Sequence, residues 1–126
     1  MGAKSHADTS WLIALFNPDD SHHKEALRDL EELANPPSLS AFALAELLVD
    51  FEIGDFGNVT TTFNQIRDSF SSIIDLTSEI AFRASRIRSE NKITLGDAIV
   101  IASALHEGAA LLTFDKTMKA VYERIK

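Results

Sequence analysis

The sequence predicts an α/β fold, in which a short parallel sheet carries helices on both faces. Short apolar segments with strand character alternate with longer segments of helical spacing, and such alternation is typical of parallel sheets. The chain has 126 residues, of which 45% are hydrophobic, so it is long enough to bury a core. No repeat or linker interrupts it. We therefore expect a single domain over residues 1–126.

The predicted elements follow from apolar spacing and from capping and breaking residues. The predicted helices cover residues 21–34, 41–51, 59–68, 77–91 and 94–107, followed by a final short helix after Lys116. The predicted strands cover residues 38–40, 72–76 and 109–113. Residues 1–7 are largely polar, and they are interpreted either as a short edge-like strand or as a segment that is partly foreign to the natural chain.

The helix predicted after Thr94 is apolar on nearly every face, so we expect its neighbours to enclose it. Gly108 ends it, and Gly96 loosens its first turn. Asp97 lies near its start, in surroundings that aspartate avoids unless its charge is needed there. A capping box that pairs Thr94 with Asp97 would also explain this carboxylate, and the segment alone does not decide between the two interpretations.

Composition excludes several classes of protein. The chain contains no Cys, which rules out disulfides and thiolate metal sites and fits a cytoplasmic protein. No apolar run is long enough to span a bilayer, so no membrane association is expected. The net charge of −7 argues against broad nucleic-acid affinity. That objection weakens if carboxylates are gathered at one site and covered by cations.

Acidic residues follow two of the predicted strands. Asp8 comes after the first strand candidate and Asp115 after residues 109–113, so a parallel sheet would bring both to the crevice beyond its carboxyl ends. Each could instead simply cap the next helix. Glu46 points away from the apolar stripe of its helix, towards Phe42 and Val49. A solvated glutamate beside scattered apolar residues is the alternative there.

Gathered carboxylates need compensation. At a spacing of ~5 Å and an effective dielectric of ~20, each pair repels by about 3 kcal/mol. Basic side chains, bound protons or a divalent cation would relieve this repulsion. Oxygen ligands without cysteine indicate a hard cation, Mg²⁺ or Mn²⁺. Such a cation polarises a phosphoryl oxygen and lowers the pKa of bound water, which is the chemistry of phosphodiester hydrolysis.

Four segments in register resemble the PIN-domain family, and within it the single-domain VapC-type toxins. They are residues 8–10 with 12–15, residues 45–46, residues 95–99 and residues 111–115. The resemblance implies a three-layer α/β/α sandwich and a metal-dependent endoribonuclease. It implies an acidic site, both catalytic and metal-binding, formed by Asp8, Glu46, Asp97 and Asp115. Ser10 and Thr113 match positions that support this site in the family.

The resemblance also implies partners: an RNA substrate, a small antitoxin that obstructs the acidic pocket, and a second copy of the chain in a homodimer. The sequence departs from the family pattern in two places. The first strand is polar at residues 4–6, and few residues remain for a last strand beyond residues 121–125. We therefore expect the sheet to be frayed at both places.

Other polar and aromatic residues have simpler explanations. Neighbouring residues on a helix diverge by ~100°, so His22 and His23 are interpreted as a solvated surface rather than a metal site. His6 and His106 are expected to be structural, and Trp11 and Phe16 to be core. The basic set forms either a solvated helix face or a rim that tracks phosphates; its members are Arg83, Arg86, Arg88, Lys92, Lys116 and Lys119. Lys116 is the most attractive of them because it adjoins Asp115.

Three alternatives stay open. The chain could be a housekeeping RNA-processing nuclease, which only the neighbouring reading frame would distinguish from a toxin. It could be a non-catalytic binding module, which an intact acidic set disfavours. A receiver-like phosphoacceptor domain also gathers acids on an α/β fold, but it would not carry its glutamate inside a helix, as Glu46 is here.

Overall fold

The computed structural model describes residues 3–55 and 57–126, which form four strands and seven helices and confirm the predicted α/β class. The strands are β1 (Ser5–Ala7), β2 (Ser38–Ser40), β3 (Ile73–Ile74) and β4 (Ala110–Leu112). The helices are α1 (Thr9–Phe16), α2 (His23–Glu32), α3 (Ala41–Gly54), α4 (Val59–Ser69), α5 (Ser78–Glu90), α6 (Leu95–Glu107) and α7 (Lys116–Ile125). None of the helices in these ranges is long and apolar enough to cross a bilayer.

The sheet is parallel, with strand order β3-β2-β1-β4. The expectation that residues 1–7 form an edge-like or frayed strand was wrong for residues 5–7, because β1 is buried and pairs with both β2 and β4. Its polar residues are partly satisfied inside, because Nδ1 of His6 and Oγ of Ser38 are 2.7 Å apart and Ser38 Oγ donates to the carbonyl oxygen of Ser5 at 3.3 Å. Ser5 Oγ and His6 Nε2 are buried without a hydrogen-bond partner among the described residues. Met1 and Gly2 lie outside the described residues.

The C-terminal segment forms helix α7 rather than a last strand. Val121 and Tyr122 are buried against the core, and the Tyr122 hydroxyl donates a hydrogen bond to the carbonyl oxygen of Ala109. Beyond β4 the described chain therefore contributes helical packing, and β4 is an edge of the sheet.

Helix α6 runs through the core, as predicted. Every residue from position 98 to position 104 is buried, and α6 packs chiefly against α5. Thr94 caps its start and Gly108 ends it in the left-handed region at φ 62°. Gly96 has a packing role that the sequence did not reveal, because a Cβ there would lie 2.5 Å from Cε1 of Phe42.

The remaining differences concern element ends. The strand predicted over residues 72–76 is reduced to Ile73–Ile74. Helix α2 begins at His23 rather than at Ser21, because Asp20 Oδ1 accepts the backbone N–H of His22 and closes a turn there. Helix α3 continues past residue 51 to Gly54, and Asp55 stops it in the left-handed region at φ 53°.

Candidate active site

Asp8 lies at the carboxyl end of β1, where it caps helix α1. It is only 2% exposed. Its Oδ1 accepts hydrogen bonds from Ser10 Oγ at 2.8 Å and from the backbone N–H of Trp11 at 2.9 Å. Burial raises the pKa of Asp8 and the nearby Asp115 carboxylate adds to the rise, while these hydrogen bonds and one from Thr113 oppose it. The capping interpretation and the site interpretation therefore both hold for this residue.

The hydroxyl of Thr113 connects Asp8 with Asp115. Thr113 Oγ1 donates to Asp8 Oδ2 at 2.5 Å and accepts the backbone N–H of Asp115 at 3.0 Å. Ser10 makes a parallel connection, because its Oγ also accepts the backbone N–H of Phe114 at 3.1 Å. The two hydroxyls thus hold the end of β1 to the segment after β4.

Asp115 and Asp97 face a common cavity. Asp115 caps α7 through Oδ1, which accepts the backbone N–H groups of Thr117 and Met118. Burial is the largest cause of the raised pKa of Asp97, and the Asp115 carboxylate also raises it, while hydrogen bonds with Thr94 oppose the shift. The predicted capping box at Thr94 is therefore present, and the same carboxylate lies within electrostatic range of Asp115.

This cavity has a volume of about 510 Å³ and carries both signs of charge. Arg88 and Lys92 line it together with Asp97 and Asp115. Within residues 3–55 and 57–126, no Lys or Arg nitrogen lies within 4.0 Å of the Asp8, Asp97 or Asp115 carboxylates. The acidic side chains are therefore not neutralised by ion pairs of their own.

Glu46 is exposed on α3, and its Oε1 accepts a hydrogen bond from Thr9 Oγ1 at 2.6 Å. Because Thr9 directly follows Asp8, this bond ties the glutamate to the start of α1. Lys116 is exposed at the start of α7, and no ion pair joins its side chain to an acidic residue in the described chain.

The donor chemistry of this site fits a hard divalent cation, because it consists of carboxylate oxygens without a cationic partner. The described residues contain no group of three or more His, Cys, Asp or Glu side chains placed to hold a metal ion together. Mg²⁺ usually keeps several waters and binds through one or two carboxylates together with substrate phosphates. Asp97 and Asp115, which share one cavity, are the pair that fits this description.

Sequence reasoning missed two residues near the site. Thr9 was only part of a motif, although its hydroxyl binds Glu46. His22 is not simply solvated, because its ring stacks on Phe114 with centroids 4.4 Å apart and planes inclined by 15°. No local pattern pairs residues this far apart along the chain. The expectations for Trp11, Phe16 and His6 are confirmed, since Trp11 and His6 are fully buried and Phe16 packs against the core.

The fold and the site together define an α/β protein whose acidic residues gather where its parallel strands end. The family model of the PIN domain matches residues 7–124. The chain therefore belongs to the PIN domain family, as its motifs predicted. No curated protein gives a significant match to the sequence.

Solved structures with the same fold include bacterial toxins. Mycobacterium tuberculosis VapC20, a toxin that cleaves the sarcin–ricin loop, superposes with a TM-score of 0.81 at 21% identity, over 93% of this chain and 94% of that chain. A toxin–antitoxin complex from Klebsiella pneumoniae gives 0.75 at 28% identity, over 90% and 89% of the two chains. VapBC2 from Rickettsia felis, bound to a fragment of its promoter DNA, gives 0.71 at 20% identity, over 93% and 92%.

Proposed function

We propose that this protein is a metal-dependent endoribonuclease and the toxin of a VapBC-type toxin–antitoxin pair. The observation that carries the proposal is the gathering of Asp8, Asp97 and Asp115 at the carboxyl end of the sheet without cationic partners of their own. Uncompensated carboxylates destabilise a fold, and they persist where function requires them. Membership of the PIN family and the likeness to toxin structures support the same assignment.

In this proposal, Asp97 and Asp115 would hold Mg²⁺ or Mn²⁺, and Asp8 would contribute through a bridging water. A bound divalent cation supplies a polarised phosphoryl oxygen and a water molecule of lowered pKa. Glu46, oriented by Thr9, completes the acidic set or orients the attacking water. Ser10 and Thr113 donate to Asp8 and so fix both of its carboxylate oxygens.

Cationic side chains beside the acidic residues address the objection raised by the net charge of −7. Arg88 and Lys92 line the cavity that contains Asp97 and Asp115. Contacts with phosphate position a nucleic acid without reading its sequence. We assign these two residues to the phosphates that flank the scissile bond, and we leave Lys116 as a further cation at the rim.

The proposed partners are a small antitoxin that covers the acidic pocket and a second copy of this chain. The Klebsiella and Rickettsia structures contain toxin and antitoxin together, which supports the first of these. A toxin that cleaves cellular RNA acts in the cytoplasm, and the lack of cysteine suits a reducing compartment.

Cleavage of structured RNAs tests the enzymatic part of the proposal. The wild-type protein should cleave with Mg²⁺ or Mn²⁺, and EDTA should abolish cleavage. Asp97→Asn should lower the rate by about 100-fold or more, since it removes a charge that the cation needs. Asp75→Asn is the matched control, because Asp75 is exposed outside the site. Cleavage that survives both EDTA and Asp97→Asn contradicts the proposal.

Growth of a bacterial host tests the toxin assignment. Expression of the wild-type chain should arrest growth, and co-expression of the small protein from the neighbouring reading frame should restore it. Normal growth of cells that contain active, metal-dependent enzyme would favour a housekeeping nuclease instead.

A further inference from the structure

We propose that His22, stacked on Phe114, forms a nucleobase-binding face beside the acidic site. This inference deepens the proposed ribonuclease function and rests on it. The ligand is a base of single-stranded RNA next to the scissile phosphate, unstacked from its neighbours and laid against the imidazole ring.

The two rings form an ordered pair. Their centroids are 4.4 Å apart and their planes are inclined by 15°. The backbone N–H of His22 donates to Asp20 Oδ1 at 2.8 Å, and Ser21 Oγ lies 3.4 Å from Nδ1 of the imidazole. The backbone N–H of Phe114 donates to Ser10 Oγ. Hydrogen bonds therefore hold the backbone of each residue, and one nitrogen of the imidazole has a neighbouring hydroxyl.

Helix capping does not explain why a histidine stands at this position. His22 is the N-cap residue of α2, yet its side chain makes no capping hydrogen bond with the described backbone. Ser, Thr, Asp or Asn would stabilise the helix better there. The side chain is 46% exposed although its ring lies against Phe114. The position offers a half-exposed, flat, polarisable ring, whose Nδ1 also lies 3.8 Å from Asp20 Oδ1.

The pair lines a cavity that reaches the acidic site. The cavity has a volume of about 300 Å³. It is lined by Ser10, Ile13, Asp20, His22, Phe114 and Asp115. Ser10 is the residue that donates to Asp8, and Asp115 belongs to the proposed metal-binding pair. A base in this cavity therefore lies beside the reacting phosphate.

Asp115 also lines the cavity that contains Arg88 and Lys92. An RNA strand that crosses Asp115 would therefore meet cationic side chains on one side and stacked rings on the other. Grooves for single strands combine these two elements, a positive surface for the backbone and aromatic side chains for the bases. The carboxylates in the ring-lined cavity make it poor for a phosphate, so a base is the part of RNA that suits it.

Fluorescence of a short single-stranded RNA that contains 2-aminopurine tests the proposal. Asp97→Asn serves as the parent, so that the RNA stays intact with Mg²⁺ present. Stacking on His22 should quench the fluorophore as the parent binds. His22→Ala should abolish the quench and weaken binding by about tenfold, as expected for the loss of one stacked base. His22→Phe keeps an aromatic ring and should keep both the quench and the binding affinity. His106→Ala, which changes an exposed histidine of α6, should alter neither the quench nor the affinity.

Two results separate the inference from the proposed function. If His22→Ala binds and quenches like its parent while the wild-type enzyme cleaves this RNA with Mg²⁺, the nucleobase face is wrong and the ribonuclease stands. If His22→Ala loses the quench while the wild-type protein fails to cleave any RNA, the base-binding face stands and the ribonuclease is wrong. If His22→Ala and His22→Phe unfold at the same temperature, a folding defect is excluded as the cause of lost quenching. If His22→Ala unfolds at a lower temperature but quenches the fluorophore as much as its parent does, the inference is wrong.

Discussion

The two ends of strand β1 both carry buried polar side chains, but those at the amino end are uncharged and those at the carboxyl end include carboxylates. At the amino end, Ser5 and His6 are buried, and His6 pairs with the hydroxyl of Ser38. Burial lowers the pKa of His6 to about 4, so His6 is uncharged at physiological pH. At the carboxyl end, Asp8 is equally buried and burial raises its pKa, yet it is held among other carboxylates.

The difference shows what distinguishes a structural polar cluster from a functional one. The amino-end cluster carries no charge, and the contact between His6 Nδ1 and Ser38 meets part of its burial cost, while His6 Nε2 and Ser5 Oγ are buried without hydrogen-bond partners in the described chain. The acidic cluster keeps electrostatic repulsion between Asp97 and Asp115, which the fold alone does not relieve. A function in binding a cation and a phosphate would account for the retention of this repulsion.

The largest contrast is expected from neutralising a carboxylate at each end of the sheet. Asp115→Asn should lower RNA cleavage by about 100-fold or more, because it removes one of the two proposed metal ligands. Glu107→Gln, beside the cavity that Lys4 and Ser5 line, should leave the rate unchanged. Rates measured under identical Mg²⁺ concentrations compare the two variants. Equal losses of the cleavage rate in Asp115→Asn and Glu107→Gln would mean that the carboxylates at the carboxyl end have no particular role in cleavage.

A change at the buried cluster of Ser5, His6 and Ser38 should affect stability rather than activity. Ser38→Ala leaves Nδ1 of the buried His6 without its hydrogen-bond partner, and an orphaned buried polar group costs about 1–3 kcal/mol. Urea unfolding should show this loss, while the folded protein retains its cleavage rate. The double variant His6→Leu with Ser38→Ala should recover part of the stability, because it removes both ring nitrogens of His6, which would otherwise be buried without hydrogen-bond partners. A double variant less stable than Ser38→Ala would contradict this explanation.

Thr9 should have an intermediate effect that concerns activity alone. Thr9→Val keeps the shape of the side chain but removes the hydroxyl that binds Glu46. Loss of a group that orients a metal-site residue typically costs about 10-fold or more in activity, whereas the stability of an exposed pair should change by about 0.5 kcal/mol or less. An unchanged kcat in Thr9→Val would mean that Glu46 acts without this support, or stands outside the reaction.

The smallest effect concerns the pH dependence of stability. The folded pKa of Asp97 is raised above its usual value of 3.8, so the folded state holds the proton more tightly than the unfolded state. The stability that this gives is complete below that value and is lost as the pH rises through the folded pKa. In EDTA at neutral pH, Asp97→Asn should therefore be more stable by about 0.5 kcal/mol, a small gain because water screens a half-exposed carboxylate. The gain should vanish on acidification below pH 3.8.

The sequence predicted most of the helices and the parallel sheet, because apolar spacing and caps such as Thr94 act locally. It failed at β1, because polar residues suggested an edge and only the partner strand supplies the hydroxyl that His6 needs. Motifs suggested the acidic residues and the hydroxyls that bind Asp8. Their arrangement around Asp115, and the stacking of His22 on Phe114, depend on tertiary contacts that no local spacing encodes.

The bare backbone at Gly96 has a consequence for engineering. It allows helix α6 to lie against the ring of Phe42, one helical turn from Glu46 on α3. The separation between the helices that bear Glu46 and Asp97 is therefore limited by side-chain volume at an uncharged position. Substitutions at Gly96 and Phe42 that change side-chain volume should therefore lower the proposed RNA-cleaving activity in steps, while every ionisable group is retained.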